Sequence, residues 1–357
     1  MDRELLEQTL ADLGQPPYRA RQVWERACAG AASYEEMTSL PKELRTQLTD
    51  RVPFSTLSPL QRREARDGTV KLLFQTADGH PVESVLMRYR DGRRSVCIST
   101  QSGCPLQCAF CASGQMGFRR NLSAWEIVEQ ALFFLREIGS AEGSHSGSEV
   151  TAESEPEPGE RLSNAALMGM GEPLMNYEAV LTAVRALPDL GIGHRHTAIS
   201  TAGWAPGIDR LTTEDLPVRL ALSLHAPDDE LRRRLMPVTA RFPIAEVLAA
   251  CKRFYDVRRR KVLVEYLMLA GVNDHREQAR ALVRLLNPKI FKLNLIPYNE
   301  TGDGRGAFSG SSRPAIDAFR EVLAKAGLEA TVRVARGREI EAACGQLAGT
   351  AGTAGRT

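Results

Sequence analysis

Apolar positions near the start of the chain recur at steps of three and four residues, which is the spacing of one face of a helix. The pattern runs through RELLEQTLADLG, YRARQVWERACAG and SYEEMTSLPKELRTQLTD, within residues 1 to about 50. From residue 66 to 88 it changes to alternation on both sides of Asp78-Gly79, a pair typical of a hairpin turn. The first part of the chain is therefore predicted to form small helices followed by a β-hairpin.

A different pattern begins at residue 95, where short apolar segments alternate with helical ones. The six predicted strands are SVCIST, ALMGMG, TAIST, RLALSLH, VLVEYLML and FKLNLIPY. The helical segments between them are LSAWEIVEQALFFLREIG, NYEAVLTAVRALPDLG, FPIAEVLAACKRFYDV and EQARALVRLLN, and Ser123 with Glu126 forms a capping box before the first. Six strand-then-helix units predict an α/β fold with a parallel sheet, either doubly wound or a barrel with fewer than eight strands. In both arrangements ligands bind at the carboxyl ends of the strands.

One segment interrupts this order. Residues 139 to 160 contain six acidic residues, no lysine or arginine, and many serines, glycines and prolines. Because this composition offers almost nothing to bury, a disordered insertion is predicted here. RPAIDAFREVLAKAG and ATVRVA predict a last helix and strand, and the final TAGTAGRT is expected to be frayed. The chain thus divides into an accessory domain (1–94), a parallel α/β domain (95–300) and a C-terminal segment (301–357).

Composition narrows the class of protein. The 46 basic and 44 acidic residues nearly cancel, so net charge alone does not indicate a nucleic-acid binder. The amino terminus lacks an apolar signal core, and no apolar run approaches the ~18 residues that crossing a bilayer takes. A cytoplasmic protein without membrane association is therefore predicted. In that reducing compartment its seven cysteines are better suited to metal or redox chemistry than to permanent disulfides.

Three of these cysteines lie in GCPLQCAFCASG, at positions 104, 108 and 111. A structural zinc site usually takes four ligands, whereas this set has three, and the next histidine, His145, lies in the predicted insertion. Three buried structural cysteines within a span of eight residues after a strand would be unusual. Closely spaced thiolates are also the ligands of iron–sulfur clusters, and the spacing favours that reading.

The C-x3-C-x2-C stretch closely resembles the motif of the radical S-adenosylmethionine (SAM) enzymes, including Phe110 before the third cysteine. The resemblance implies that Cys104, Cys108 and Cys111 hold a [4Fe–4S] cluster. In that family the open iron chelates the amino and carboxylate groups of SAM, and one electron then splits SAM to a 5′-deoxyadenosyl radical. The implied fold is a partial (βα)6 barrel with the motif after its first strand.

The same resemblance implies SAM contacts at successive strand ends. MGMGEPLMN resembles the family's glycine-glycine-glutamate segment, in which glycines allow close backbone approach and Glu172 accepts hydrogen bonds from the SAM ammonium. Singly, a Ser, His or Asn at a strand end is more often a turn residue, but several at corresponding places favour ligand contacts. The cofactor-binding residues implied are Gly171, Glu172, Ser200, Ser223, Leu224, His225 and Asn299, with Gly169 beside them.

Two further cysteines distinguish this chain within the class. Cys97 precedes the motif in an apolar strand, and Cys344 lies in EAACGQLAG, a small-residue stretch expected to be helical; alone, each would be a packing residue. Together with DGTVKLLF, DGHPVESVLM, LALSLHAP and LIPYN, in order, they resemble the dual-specificity RNA methyltransferases that modify adenine carbon 2 in bacterial 23S ribosomal RNA and certain transfer RNAs. The acidic insertion and the shortened loop GDGRGAFSGSSRP are departures between the motifs.

That family's chemistry implies roles for the two cysteines. Carbon 2 of adenine is electron-poor, so one SAM first methylates Cys344 and the radical from a second takes hydrogen from that S-methyl group. The methylene radical then adds to the ring and joins the RNA to the enzyme. Glu83 takes the ring proton, and Cys97 releases the RNA by a transient disulfide with Cys344. Without the resemblance, the sequence allows two interpretations of Glu83 equally, a proton acceptor or an outward-facing strand residue.

No single motif marks the RNA contacts. Residues 51 to 94 carry nine basic and five acidic residues. Two short basic runs, Arg232-Arg233-Arg234 and 258–261, could also contact phosphates. Such runs are, however, more often solvated helix faces. A loop adenine is the expected substrate because the base must leave its stack. The expected partners are 23S rRNA, tRNA and an electron donor such as flavodoxin, with the enzyme a monomer. Two alternatives stay open: a carbon-8 methyltransferase of the same class, and a non-catalytic iron–sulfur or zinc module that only binds RNA.

Overall fold

The computed structural model describes residues 1–143, 161–299, 308–333 and 336–347. Its first helices are α1 (Arg3–Asp12), α2 (Tyr18–Cys28) and α3 (Lys42–Arg51). They pack around a core of their own that includes Leu6, Val23 and Leu48. The SYEEMTS part of the predicted third helix is not helical, because Pro41 is the N-cap of α3 and a proline disfavours helical backbone in the residue before it.

Three antiparallel strands follow the helices: β1 (Leu57–Glu64), β2 (Val70–Thr76) and β3 (Pro81–Arg88). The predicted hairpin is β2–β3, with Gly79 at a φ of 87° in its turn. The sequence pattern did not reveal β1, because it is an edge strand that is mostly exposed and so carries no regular apolar face.

The predicted barrel is confirmed. Its parallel strands are β4 (Arg94–Cys97), β7 (Asn164–Leu167), β8 (Thr197–Thr201), β9 (Arg219–Ser223), β10 (Val262–Met268) and β11 (Phe291–Pro297), each paired with the next. A seventh, β12 (Ala330–Val332), adds parallel to β11. Two-residue strands β5 (Gln101–Ser102) and β6 (Arg120–Asn121) pair beside the cysteine loop. Because β3 pairs with β4, the hairpin and the barrel share one ten-stranded sheet.

Helices cover the barrel strands. They are α4 (Ala112–Gln115), α5 (Ala124–Gly143), α6 (Tyr177–Ala186), α7 (Ala205–Thr213), α8 (Asp229–Leu235), α9 (Ile244–Arg258), α10 (Arg276–Leu285) and α11 (Arg313–Lys325). The capping box forms, since the Glu126 N–H donates to Ser123 Oγ and the Ser123 N–H to Glu126 Oε2. The pattern missed α7, which contains proline and glycine, and α8, which has only seven residues.

Two predicted segments, the acidic insertion and the frayed terminus, lie partly or wholly outside the described residues. The insertion was expected from residue 139, but α5 continues to Gly143, so residues 139–143 are helical; the remainder, 144–160, lies outside the described part of the chain. The frayed terminus predicted for residues 350–357 also lies outside it. The domain boundaries at residues 94 and 300 stay predictions.

Candidate active site

The carboxyl ends of the barrel strands surround a cavity of about 150 Å³. The residues predicted to bind a cluster and SAM that line it are Cys104, Cys108, Cys111, Gly169, Gly171, Glu172, Ser200, Ser223 and His225. They come from the loops after β4 and β7 and from the ends of β8 and β9. The parallel topology therefore brings together side chains that are up to 121 positions apart in the sequence.

The loop that carries the three thiols is held by its backbone. Gly103 has a φ of 72°, and a Cβ there would lie 1.8 Å from the Gly117 carbonyl oxygen, so no other residue fits. The Cys104 N–H donates to Gly117 O, and the Ala109 N–H donates to Leu235 O at 2.9 Å. These bonds fix the loop to the segment after α4 and to α8.

Burial raises the pKa of the Cys104 thiol to about 12, and it also raises the pKa values of Cys108 and Cys111. A bound metal centre would replace these protons, because thiolates are the ligands that iron and zinc take. No three His, Cys, Asp or Glu side chains in the described residues converge on a single-ion site. A four-iron cluster is larger than one ion, and three thiols around one cavity fit it.

Glu172 is buried and lines this cavity. Its Oε2 accepts from the Ala202 N–H at 2.7 Å, and its Oε1 accepts from the Leu174 N–H at 3.2 Å. Burial raises the pKa of this carboxyl to about 7, so a ligand ammonium beside it would favour its ionised form. The preceding Gly171 has a φ of 103° and packs against Gln101, which its Cβ would approach to 2.7 Å.

His225 is a neutral acceptor in the cavity wall. Its Nδ1 accepts from the Leu267 N–H at 3.0 Å, and burial lowers its pKa to about 3. Its ring meets the Phe110 ring edge to face, with centroids 4.8 Å apart. The cysteine loop and the end of β9 are therefore in direct contact.

Two predicted cofactor residues lie elsewhere. Leu224 is fully buried and does not line the cavity; its N–H donates to Glu265 O. Asn299 lines a neighbouring cavity, and its buried Oδ1 has no hydrogen-bond partner within the described residues. Of the predicted cofactor residues, these two therefore do not line the larger cavity.

The two remaining cysteines meet at the neighbouring cavity, whose volume is about 70 Å³. Cys97 at the end of β4 and Cys344 both line it, and Cys344 and Cys111 line the larger cavity as well. The seven cysteines are free thiols, all at described positions. Burial, and then the nearby Cys344, raise the pKa of Cys97 to about 12. The expected helix around Cys344 is wrong: the residue lies in a turn, between Ala343 and Gly345.

Glu83 is not the outward-facing strand residue that its sequence alone allowed. Its side chain is 1% exposed, and its Oε1 lies 3.0 Å from Lys71 Nζ on the neighbouring strand. Lys71 is also buried, so one of the nine basic residues of the 51–94 stretch is unavailable to RNA.

The sequence reasoning missed two charged residues of the cavity. Glu265 in the middle of β10 is buried with its Oε2 unpartnered among the described residues, and burial raises its pKa. Arg333 after β12 lines both cavities, and its pKa is raised chiefly by Cys344 and also by Glu265. Their signal in the sequence was a charge within a short apolar run, in VLVEYLM and ATVRV.

The first arginine of the 232–234 run has a structural role. Arg232 is fully buried, and its guanidinium donates to the carbonyls of Ala202, Ser223 and Leu224 at 2.6 to 3.2 Å. The other run, 258–261, directly precedes β10 and so lies at the amino ends of the strands, opposite the cavity. Arg232 therefore holds the ends of β8 and β9 in place and is not a phosphate contact.

Replacing Arg232 with methionine is expected to lower the free energy of unfolding by about 3 kcal/mol, because buried carbonyls lose their donors. SAM binding should weaken with it, since Ser200 and Ser223 lie on the strands that it joins. Denaturant unfolding and equilibrium dialysis measure the two effects. Arg233→Met, which removes an exposed arginine from the same helix, is the control. Equal stability of the two variants would contradict this role.

The barrel, the three-thiol loop and the polar strand ends together define a radical SAM enzyme, and residues 98–283 match the family model of the radical SAM superfamily. Residues 1–53 match that of the ribosomal RNA large subunit methyltransferase N-terminal domain. The chain belongs to the RlmN family of dual-specificity RNA methyltransferases. Membership of the superfamily implies a [4Fe–4S] cluster and SAM.

Relatives match nearly the whole chain. A probable dual-specificity RNA methyltransferase RlmN from Moorella thermoacetica is 45% identical, over 96% of this chain and 94% of its own. The dual-specificity RNA methyltransferase RlmN of Anaeromyxobacter dehalogenans is 42% identical, over 99% and 91%. A radical SAM methyltransferase from Sphaerobacter thermophilus has the same fold, with a TM-score of 0.88 and 42% identity over 98% of both chains. In the described residues, no helix is long and apolar enough to cross a membrane.

Proposed function

We propose that this protein methylates carbon 2 of an adenine in 23S rRNA and in certain tRNAs through a methylated Cys344. The observation that carries the proposal is the pair of adjoining cavities. Cys344 and Cys111 line both of them, and Cys97 lines the smaller one. A thiol that must first react beside the cluster and then with a second thiol needs this shared position.

The cofactor residues have separate tasks. Cys104, Cys108 and Cys111 would hold the cluster, and the strand ends would hold SAM, with Glu172 facing its ammonium group. When bound, the two groups supply a methyl group and a hydrogen-abstracting radical. SAM contacts from the backbone of Leu224 and the side chain of Asn299 are part of this proposal.

The protein's own residues carry the later steps. The Cys344 sulfur accepts a methyl group from one SAM, loses one hydrogen atom from it with the second, and becomes joined to carbon 2 through the methylene. Glu83 takes the proton from carbon 2, and the unpaired electron left on the ring would return to the cluster. The Cys97 thiolate then attacks the Cys344 sulfur; a disulfide forms, the bond from that sulfur to the methylene breaks, and the methylene carbon takes up a proton, so a methyl group stays on the RNA.

Methylation of carbon 8 is the alternative within the class, and a non-catalytic RNA-binding module is the alternative outside it. The protein, reconstituted anaerobically and supplied with SAM, a reductant and 23S rRNA fragments, is expected to yield 2-methyladenosine in the digested RNA. Mass spectrometry against both methyladenosine standards decides this. Detection of 8-methyladenosine would show that carbon 8 is the methylated position. Unmodified RNA together with stoichiometric zinc in the protein would favour the non-catalytic RNA-binding module.

The helices α1–α3, within the segment that matches the ribosomal RNA methyltransferase N-terminal domain, would help to dock RNA. A flavodoxin-like protein would supply electrons, and the enzyme would act in the cytoplasm as a monomer.

A further inference from the structure

Lys71 occupies an unusual place for a lysine. It lies on β2 opposite Val85, which in turn lies opposite Cys97, and Glu83 is two residues before Val85 on β3. Directly opposed and alternate residues share one face of a sheet, so Lys71, Glu83 and Cys97 face the same side. Lysine is almost never fully buried unless it is paired, and here only 6% of the side chain is exposed.

The ammonium group of Lys71 has two partners. Nζ lies 3.0 Å from Glu83 Oε1 and donates to the Glu341 carbonyl oxygen at 3.1 Å. Glu341 is three residues before Cys344. One cation therefore joins the proposed proton acceptor to the backbone that carries the proposed methyl acceptor.

The rest of the Cys344 segment is tied down on both sides. Before Cys344, the Gly337 N–H donates to Asp67 Oδ2 at 3.2 Å, in the turn between β1 and β2. After it, the Ala112 N–H donates to Gly345 O at 2.8 Å and Ser113 Oγ to Leu347 O at 2.6 Å. Ala112 and Ser113 belong to α4, which begins directly after Cys111. Between these anchors, Lys71 joins the segment to Glu83.

We propose that Lys71 is a positioning residue that pairs with the buried Glu83 carboxylate and holds it beside the Cys344 segment. The inference rests on the proposed roles of Glu83 and Cys344. A buried carboxylate that loses its cation is strongly destabilised, so it would not keep the position from which it accepts the ring proton. Loss of Lys71 should therefore slow release of the RNA and leave cluster assembly unchanged.

The test uses the full-length protein and three single variants, Lys71→Met, Lys71→Arg and Glu83→Gln. A double variant combines Lys71→Met with Glu83→Gln. Lys71→Met should keep its iron and its SAM cleavage but lose RNA methylation at least about tenfold, as for loss of a general base. The Cys344 peptide from cells should carry a nuclease-resistant nucleotide. Lys71→Arg should restore most of the turnover because it keeps the cation.

The double variant separates coupling from general damage. Lys71→Met should have a lower Tm, because it leaves the Glu83 carboxylate buried without its cation. Removing both charges should recover this loss, and turnover should be no lower than in Glu83→Gln alone. The control is Lys252→Met, which removes an exposed lysine paired with Asp256 on α9. Normal turnover in Lys71→Met, loss of its iron, or a further loss in the double variant would each overturn the inference. Normal turnover in Glu83→Gln would instead remove the proposed role of Glu83.

Discussion

Replacing Cys108 by alanine is expected to abolish the cluster, the brown colour and all SAM cleavage. The three thiols act as one unit, because each supplies one ligand and each is held by the same short loop. Loss of a direct ligand should cost more than the roughly 10- to 100-fold that loss of an outer-shell partner costs. Iron and sulfide analysis after anaerobic reconstitution should fall from about four of each per chain towards zero.

Cys28→Ala is the matched control for this experiment. Cys28 is the last residue of α2 and belongs to neither cavity, so its loss should leave iron content and SAM cleavage unchanged. Retention of a full cluster and of activity in Cys108→Ala would remove the assignment of Cys104, Cys108 and Cys111 as ligands. Loss of iron in both variants would indicate general instability.

The alternation of strand and helix predicted a parallel α/β fold, because periodicity is a local property that burial of one face imposes on each element. The choice of a barrel over a doubly wound sheet came from the resemblance to the radical SAM enzymes. The strand-end residues followed, since parallel strands bring their carboxyl ends together. Polar partners were not predictable in this way. Arg232 reads as part of a basic run, yet its donors reach carbonyls about 8 to 30 residues away.

The pairing of Lys71 with Glu83 was hidden for a related reason. Each residue has the polarity of an exposed strand position, yet both are buried, and the segment before Cys344 contacts Lys71 on that face. The sequence distance from Lys71 to Glu341 is 270 residues, and no local pattern encodes such a contact. A charged residue within an apolar strand, such as Glu265, is the one such signal that the sequence does carry.

The two lone cysteines give the second large effect, and it tests the order of the chemical steps. Cys344→Ala is expected to keep its cluster, to contain no methylated cysteine and to make no methylated RNA, because the methyl acceptor is absent. Peptide mass spectrometry, iron analysis and RNA digestion measure these three results. Methylated RNA from Cys344→Ala would exclude a route through this residue.

Cys97→Ala should give a different result, because it removes the thiol that attacks the Cys344 sulfur and leaves the earlier steps intact. Cys344 should still be methylated and still join to RNA, but the RNA could not be displaced. Protein isolated from cells should therefore carry a nuclease-resistant nucleotide on the peptide that contains Cys344. If Cys97 only fills space, the variant should instead lose stability, trap no RNA and retain some turnover. That second outcome would leave the assignment of the cluster chemistry standing but contradict the proposed exchange between the two thiols. Release of the RNA depends on position 97 only if the Cys97 thiol reacts.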